Sequence, residues 1–537
     1  MNENIIYLSE IHGKDTTDTF TLAMEHMRNN PGTTLVIEPG IYIITSELAR
    51  QTMESVLNGD YGPNPEDIMF NPKFAYTKGI DFAGQKGSRV IANGVTLLVD
   101  GFMEPVSLNN CEDIEICGLT IDHKRKPYSH GVVTSIEKDA EGDGGYCNIE
   151  LSPETSVKRH TPILRFRFYD PKKDCFYNKS RDSHGLKDEE FVDERHLRVH
   201  LQNVDGVCEG HEFLTLHTYH FRPAILIENA KNITLTDVTI HSQPGMGIVG
   251  NRSENITMRR LAVIPSCGEH WSTNTDATHF TSITGTIRFE DCISEAHGDD
   301  FTNVHAYYHV EIKRESDTVC YLQTKAPTGT HAQTLDYPDV GDTIEMTDYK
   351  TFDLIDTFKV VECTPMPDEW MCKVKFDHPL PENTEKYVFA DVTRLPHLEV
   401  IGCVITSHYA RSLLIKNRSA LVERNMFKNA LGMAIEVAAE PWWYEGVCPA
   451  NIIIRNNRIV NCGCRQAAGV VVMADSEAAT GQMISNIVIE DNIFDVPDAA
   501  HAIYVKNTDG VKIRRNKINC KEEPAVIVYS TNIDSDI

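Results

Sequence analysis

The residues with the most chemical potential lie in two short segments. The first is Trp271-Ser272-Thr273-Asn274-Thr275-Asp276-Ala277-Thr278-His279-Phe280, and the second is His297-Gly298-Asp299-Asp300-Phe301-Thr302-Asn303-Val304-His305. Asp276 and Asp299 are 23 residues apart, the length of one repeat in this chain, and Asp300 follows directly. In a solenoid, residues one repeat apart sit on adjacent rungs, roughly 4.8 Å apart along the axis. Three carboxylates would therefore share one patch. Like charges that close raise the pKa of at least one member, and the group titrates as a coupled set. A carboxyl that keeps its proton beside one that has lost it is equipped to split a glycosidic bond. One protonates the leaving oxygen while the other activates water. A stacked aspartate ladder that caps bends or holds Ca²⁺ is the structural alternative. The register and the flanking histidines favour catalysis.

Further residues are candidates for holding a sugar. His279, His297, Asn303 and His305 flank the aspartates and offer hydrogen bonds to hydroxyls. Each is also a common bend residue. Glu436 and Glu440 precede Trp442-Trp443-Tyr444. An aromatic face stacks on the apolar face of a sugar, and carboxylates accept from its hydroxyls. Trp271 is a similar candidate. Arg411 and Lys416 read as a solvated face. No metal or cofactor is expected, since the chemistry needs neither. Cys462-Gly463-Cys464 lacks a second Cys/His pair at ligand spacing.

The elements that must position these residues are repeats. An apolar–polar–apolar alternation, a turn-like pair and another apolar pair recur through the chain. Examples are Ile114-Glu115-Ile116-Cys117-Gly118-Leu119-Thr120-Ile121, Ile233-Thr234-Leu235-Thr236-Asp237-Val238-Thr239-Ile240 and Ile256-Thr257-Met258-Arg259-Arg260-Leu261-Ala262-Val263. Further copies surround Asn425, Asn457, Asn492 and Asn516. Alternation marks strands with one buried face, and Gly, Asn or Asp marks the bend between them. Short strands in a coil of about 22 residues describe an all-β, right-handed parallel β-helix with continuous inward ladders. A leucine-rich repeat would need leucine-dominated motifs and a helix in each unit. The strands here are β-branched.

Thr17 to Arg28 reads as an amphipathic helix with Phe20, Ala23, Met24 and Met27 on one side, a cap for the open end of the solenoid. Two stretches break the repeat with hairpin-like alternation, bounded by Pro and Gly. The expected organisation is a capped N-terminal β-helix over 1–125 and a small inserted β-barrel or sandwich over 126–222. Central coils with the aspartates follow over 223–305, a second insert over 306–396, and C-terminal coils over 397–537.

Composition narrows the partners. The formal net charge is −27. That field repels phosphate backbones and anionic membranes, so neither nucleic acid nor membrane is an expected partner. A neutral small oligosaccharide or glycan is the expected one. The 15 cysteines include no CxxC pair and suggest reduced thiols. The start, Met1-Asn2-Glu3-Asn4-Ile5, has no basic region followed by an apolar core. No apolar run reaches about 18 residues. A cytoplasmic location is the expectation. Elongated β-helices associate through their sides, so a homo-oligomer is compatible with the sequence.

The segments Asp276-Ala277-Thr278-His279-Phe280 and Gly298-Asp299-Asp300-Phe301-Thr302-Asn303-Val304-His305 resemble the catalytic region of glycoside hydrolase family 110. The resemblance implies a parallel β-helix with small β-barrel insertions. It implies an exo-acting, inverting α-1,3-galactosidase, with Asp299 as general acid and Asp276 and Asp300 holding the attacking water. More distantly, Asn274-Thr275-Asp276 and Asp299-Asp300 resemble elements of the polygalacturonase family. That family's Gly-His-Gly element is missing, and Leu414-Ile415-Lys416 offers only the lysine of its Arg-x-Lys element. Those basic residues grip a uronate, so a polyuronate substrate is disfavoured. The alternatives are a β-helix glycosidase for another sugar, a polysaccharide lyase, and a non-catalytic glycan-binding β-helix.

Overall fold

The computed structural model describes the chain except residues 1–3, 70, 72, 174, 177–184, 325–334, 465–467 and 475–483. Three parallel sheets wind into a β-helix, and each coil gives one strand to each sheet. One coil runs Ile248–Asn251, Glu254–Arg259 and Ala262–Val263. Residue i of a strand pairs with its counterpart on the next coil, as in Ile225↔Ile248 and Ile233↔Ile256. The bends between strands need left-handed backbone. Arg252 and Arg260 have φ of 47° and 50°, and Asn and Asp hold many equivalent positions. These short polar residues tolerate that region at low cost.

Inward side chains form the expected ladders. Ile233, Ile256, Ile287, Leu398, Ala420 and Ile452 are all buried on successive coils of one sheet. Asparagines form a second ladder at one bend. Asn425, Asn457 and Asn492 each accept, on Oδ1, the backbone N–H of the residue one coil before, at 2.8–3.0 Å. Their Nδ2 atoms donate back to Val400, Val422 and Ile454 carbonyls at 2.8–3.0 Å. Buried backbone groups at a bend cannot reach a strand partner, so the side-chain amides supply one.

The N-terminal helix spans Thr16–Asn29, capped by Asp15, whose carboxylate accepts from Asp18 N at 2.9 Å. It buries Phe20, Ala23, Met24 and Met27, the face read from the sequence. The sequence did not signal a second helix, Glu47–Asn58, or the short helix Glu66–Met69. The first interruption forms a seven-stranded antiparallel sheet from Tyr128–Lys138 to Glu212–Leu216, with its own core around Phe166, Phe168 and Phe213. The second closes into an antiparallel barrel. Its first strand, Thr302–Ser316, starts inside the β-helix and runs out into the barrel, which returns through Tyr387–Asp391 to pair with it again.

Replacing Asn457 by Leu strands the Asn425 backbone N–H in the core. The expected loss is about 1–3 kcal/mol of stability, read as a lower urea midpoint at unchanged slope. A midpoint equal to wild type would mean that the ladder is not stabilising.

Candidate active site

The third sheet carries the site. Its strands Thr278–Thr281, Thr302–Ser316, Leu413–Lys416 and Ile435–Ala439 lie on successive coils. Phe280, Val304, Ile415 and Val437 point into the core. The opposite face presents the row His279, Asn303, Leu414 and Glu436, in register across the four strands. On a bare solenoid that row would be wet. Here it is buried, beside Arg411 and Lys416 and the turn that carries Glu440 and Glu445.

The register corrects the sequence reading of the aspartates. Thr278 pairs with Thr302, so this coil is 24 residues long and the rung partner of Asp276 is Asp300, not Asp299. Ala277 N donates to Asp300 O at 2.9 Å, and Asp300 N donates to Asp276 Oδ1 at 3.3 Å. The next coil repeats the contact: Phe301 N donates to Arg411 O at 3.2 Å, and Arg411 N donates to Asp300 Oδ1 at 3.0 Å. Asp276, Asp300 and Arg411 thus stack on consecutive rungs. Asp299 sits one residue off the stack and is the least buried of the three acids. Gly298 before it has no room for a side chain, since a Cβ would lie 2.0 Å from Asn274 O.

Each aspartate has a different partner. Arg411 holds Asp300 through Nε and Nη2, both at 3.0 Å. Asp276 Oδ2 lies 2.8 Å from His279 Nδ1. Asp299 Oδ2 accepts from the Tyr219 hydroxyl at 2.5 Å. Burial raises all three carboxyls. The Asp276 charge adds to the rise at Asp299, and Asp300 is pushed to about 6 against the pull of Arg411.

Arg411 and Lys416 are not a solvated face. Arg411 Nη1 also donates to Glu436 at 3.1 Å and Glu440 at 2.9 Å. Lys416 is fully buried, 2.7 Å from Glu440 and in contact with Glu445, which accepts from Asn303 Nδ2 at 2.9 Å. Glu436 and Glu440 are therefore ion-pair partners of Arg411 and Lys416. Burial lifts Glu436 to about 7, whereas Lys416 and Arg411 overcome burial at Glu440 and hold it below the usual range.

Three other candidates are interior. His297 is fully buried, donates from Nδ1 to Asp299 O at 2.8 Å and stacks on His408 at 4.3 Å. It shapes the turn behind Asp299 and has no surface for a sugar. Trp271 is also fully buried, edge-on to Phe176 at 5.5 Å. His305 is fully buried beside His279. Trp442 is 45% exposed on the turn Pro441–Trp443.

Tyr219 and Glu66 were missed from sequence. Tyr219 leaves the inserted sheet, and Asn274 Nδ2 ties that segment down through Thr218 O at 2.9 Å. Glu66, from the short N-terminal helix, accepts the backbone N–H groups of Tyr219 and His220 at 2.9 and 3.0 Å. No pattern links a glutamate in an irregular early segment to a tyrosine 153 residues later. Among the described residues, Asp276, Asp299 and Asp300 form one group of donors close enough for a single ion, and His279, His305 and Glu445 form another, each with ligand atoms within 4.8 Å. Cationic side chains already serve both: Arg411 on Asp300, Lys416 on Glu445.

Comparison with known proteins agrees with this architecture. Residues 391–536 match the family model described as a right-handed β-helix region. The chain is 25% identical to an alpha-1,3-galactosidase A of Bacteroides fragilis, covering 79% of this chain and 73% of that one. It is 23% identical to an alpha-1,3-galactosidase B of Parabacteroides distasonis, over 96% and 88% of the two chains. An alpha-1,3-galactosidase B of Phocaeicola vulgatus is 27% identical, over 90% and 83%. The resemblance to glycoside hydrolase family 110 thus extends over most of the chain.

Arg411→Gln removes the charge that three buried carboxylates share. Without it, the folded pKa values of Asp300 and Glu436 rise further above those of the unfolded chain, and Glu440 loses part of the pull that holds it low. Stability contributed by protonated carboxyls is present at low pH and lost as pH climbs through the folded values. The variant is expected to melt lower than wild type, with the gap widening from pH 5 to pH 8. An equal gap at both pH values would mean that Arg411 does not compensate these acids.

Proposed function

We propose that this protein is an exo-acting, inverting glycoside hydrolase that releases terminal α-linked galactose, α-1,3 in its natural substrate, from neutral oligosaccharides. The observation that carries the chemistry is the unequal partnering of the three aspartates. Asp300 faces a guanidinium and Asp276 an imidazole, whereas Asp299 is hydrogen-bonded by a neutral phenol. Burial and the neighbouring Asp276 charge favour a proton on Asp299. Burial and Asp299 itself keep the Tyr219 hydroxyl protonated, so it stays a donor. Asp299 is the general acid to the glycosidic oxygen. Asp276 and Asp300, stacked on adjacent rungs, hold the water, and one of them takes its proton.

One oxygen from each aspartate lies within 4.8 Å of the others. Carboxyls that face each other across a sugar ring in an inverting enzyme stand about 6.5–9.5 Å apart. Carboxyls lying alongside the reacting axis need only span water to leaving oxygen. That span is roughly 4.5–5 Å, a near-attack approach of about 3–3.5 Å plus one C–O bond. The cluster suits this sideways arrangement.

The electrostatics favour a neutral sugar. Asp276, Asp299, Asp300, Glu436, Glu440 and Glu445 crowd round Arg411 and Lys416, and each of those two cations is engaged by more than one carboxylate. Neither Arg411 nor Lys416 is left to grip a uronate. A lyase would need a basic residue with a lowered pKa. Burial acts on Lys416 in that direction, but Glu440 and Glu445 outweigh it and raise the value. Trp442 and Trp443, both exposed beyond Glu440, are aromatic faces available to stack on a sugar.

Two measurements test the proposal. Asp299→Asn is expected to lower kcat/KM by a factor of about 10²–10⁴ on an α-1,3-linked galactosyl disaccharide, and by less on nitrophenyl α-galactoside, whose leaving group needs little protonation. Equal losses on the two would remove Asp299 from the acid role. Proton NMR of the first product should show β-galactose; α-galactose appearing first would overturn inversion.

A further inference from the structure

Behind Asp276 lies a chain of two buried histidines. His279 Nδ1 is 2.8 Å from Asp276 Oδ2, and His279 Nε2 is 2.8 Å from His305 Nε2. His305 Nδ1 is 3.0 Å from the Ala306 carbonyl. A carbonyl only accepts, so His305 carries its proton on Nδ1. Two bare ring nitrogens would repel at 2.8 Å, so the contact between the Nε2 atoms requires a proton. Together the two rings and Asp276 hold one proton more than two neutral imidazoles and a carboxylate.

We propose that His279 holds this extra proton, as an imidazolium fixed by His305, and that this keeps Asp276 ionised as the base that deprotonates the attacking water. This role presupposes the hydrolase activity proposed above. Asp276 Oδ1 accepts from Asp300 N at 3.3 Å and from the Thr275 hydroxyl at 3.4 Å, while Oδ2 faces His279 Nδ1. Hydrogen bonds donated to Oδ1 favour the carboxylate form, so the proton of the Oδ2–Nδ1 contact lies on the His279 side.

The charged groups facing the chain agree. His279 faces Asp276, Glu445 and Lys416 besides His305. Although burial opposes the charge, Asp276 outweighs it and His279 is raised. His305 has Glu445 at 3.8 Å, but Lys416 neutralises that glutamate, and burial lowers His305 to about 3. One ring is built to be charged and the other neutral. His279 and His305 are thus positioning residues, acting through Asp276 and not on the sugar.

His305→Leu removes the acceptor, while His305→Gln keeps a carbonyl oxygen that can accept from His279 Nε2. In His305→Leu the acid limb of the kcat/KM pH profile should move up by at least about one unit, because Asp276 loses its cationic partner. His305→Gln should restore the limb. If both variants shift alike, or neither shifts, the proposal fails. A second measurement is independent of turnover. Proton–nitrogen correlation spectra of ¹⁵N-histidine protein at pH 8.5 should contain one ring with both nitrogens protonated, absent in His279→Asn. A neutral His279 ring at that pH would overturn the proposal even in an active enzyme. A charged ring in a protein without galactosidase activity would leave the buried proton standing and overturn only the hydrolase reading.

Discussion

Successive coils of a parallel β-helix are held roughly 4.8 Å apart by their backbone hydrogen bonds. The site depends on that constraint. Whatever side chains occupy one rung position on neighbouring coils must tolerate each other at that distance. Asp276 and Asp300 occupy such positions, and two stacked carboxylates repel. Arg411 on the third coil makes the stack tenable, with Asp300 between a like charge and a guanidinium. The backbone contributes as well, since each coil's N–H points at the carboxylate of the coil before.

The second determinant is cover. An outward row on a solenoid normally meets water, where carboxylates have ordinary pKa values and ion pairs contribute little. The turn carrying Glu440 and Glu445, paired to the strand Thr302–Ser316 that grows out into the barrel, lies over this row. Burial then makes every charge expensive unless paired. The result is an alternating network in which Arg411 and Lys416 are shared among Asp300, Glu436, Glu440 and Glu445. The same burial raises all three aspartates, and their partners differ: a guanidinium opposes the rise at Asp300, an imidazole at Asp276 and a phenol at Asp299.

The inserts have a second consequence. Tyr219 reaches Asp299 only because the chain leaves the inserted sheet beside the coil that bears the aspartates, held there by Asn274 and Glu66. The partner of the proposed acid therefore comes from outside the repeat, while those of the other two aspartates come from within it. The helix supplies the stack, and the irregular segments supply its asymmetry.

The repeat is legible in the chain alone. Alternating β-branched residues, polar bends and the Asn425–Asn516 spacing are local patterns, and local patterns survive in one dimension. The sequence also indicates that Asp276, Asp299 and Asp300 meet, because their separation is close to one coil. It could not set the register: a coil of 24 residues in place of 23 exchanges Asp299 for Asp300 as the rung partner, and loop length decides that. Nor could it join Arg411 to Asp300, 111 residues away across the barrel, since the phase of the repeat is lost inside an insertion. His297 and Trp271 looked like site residues because they are neighbours of the aspartates in sequence. The chain turns sharply at Gly298, and what lies beside Asp299 along the backbone is folded behind it. Tertiary structure decided these matters because burial and long-range pairing depend on where separate segments return, which no local spacing encodes.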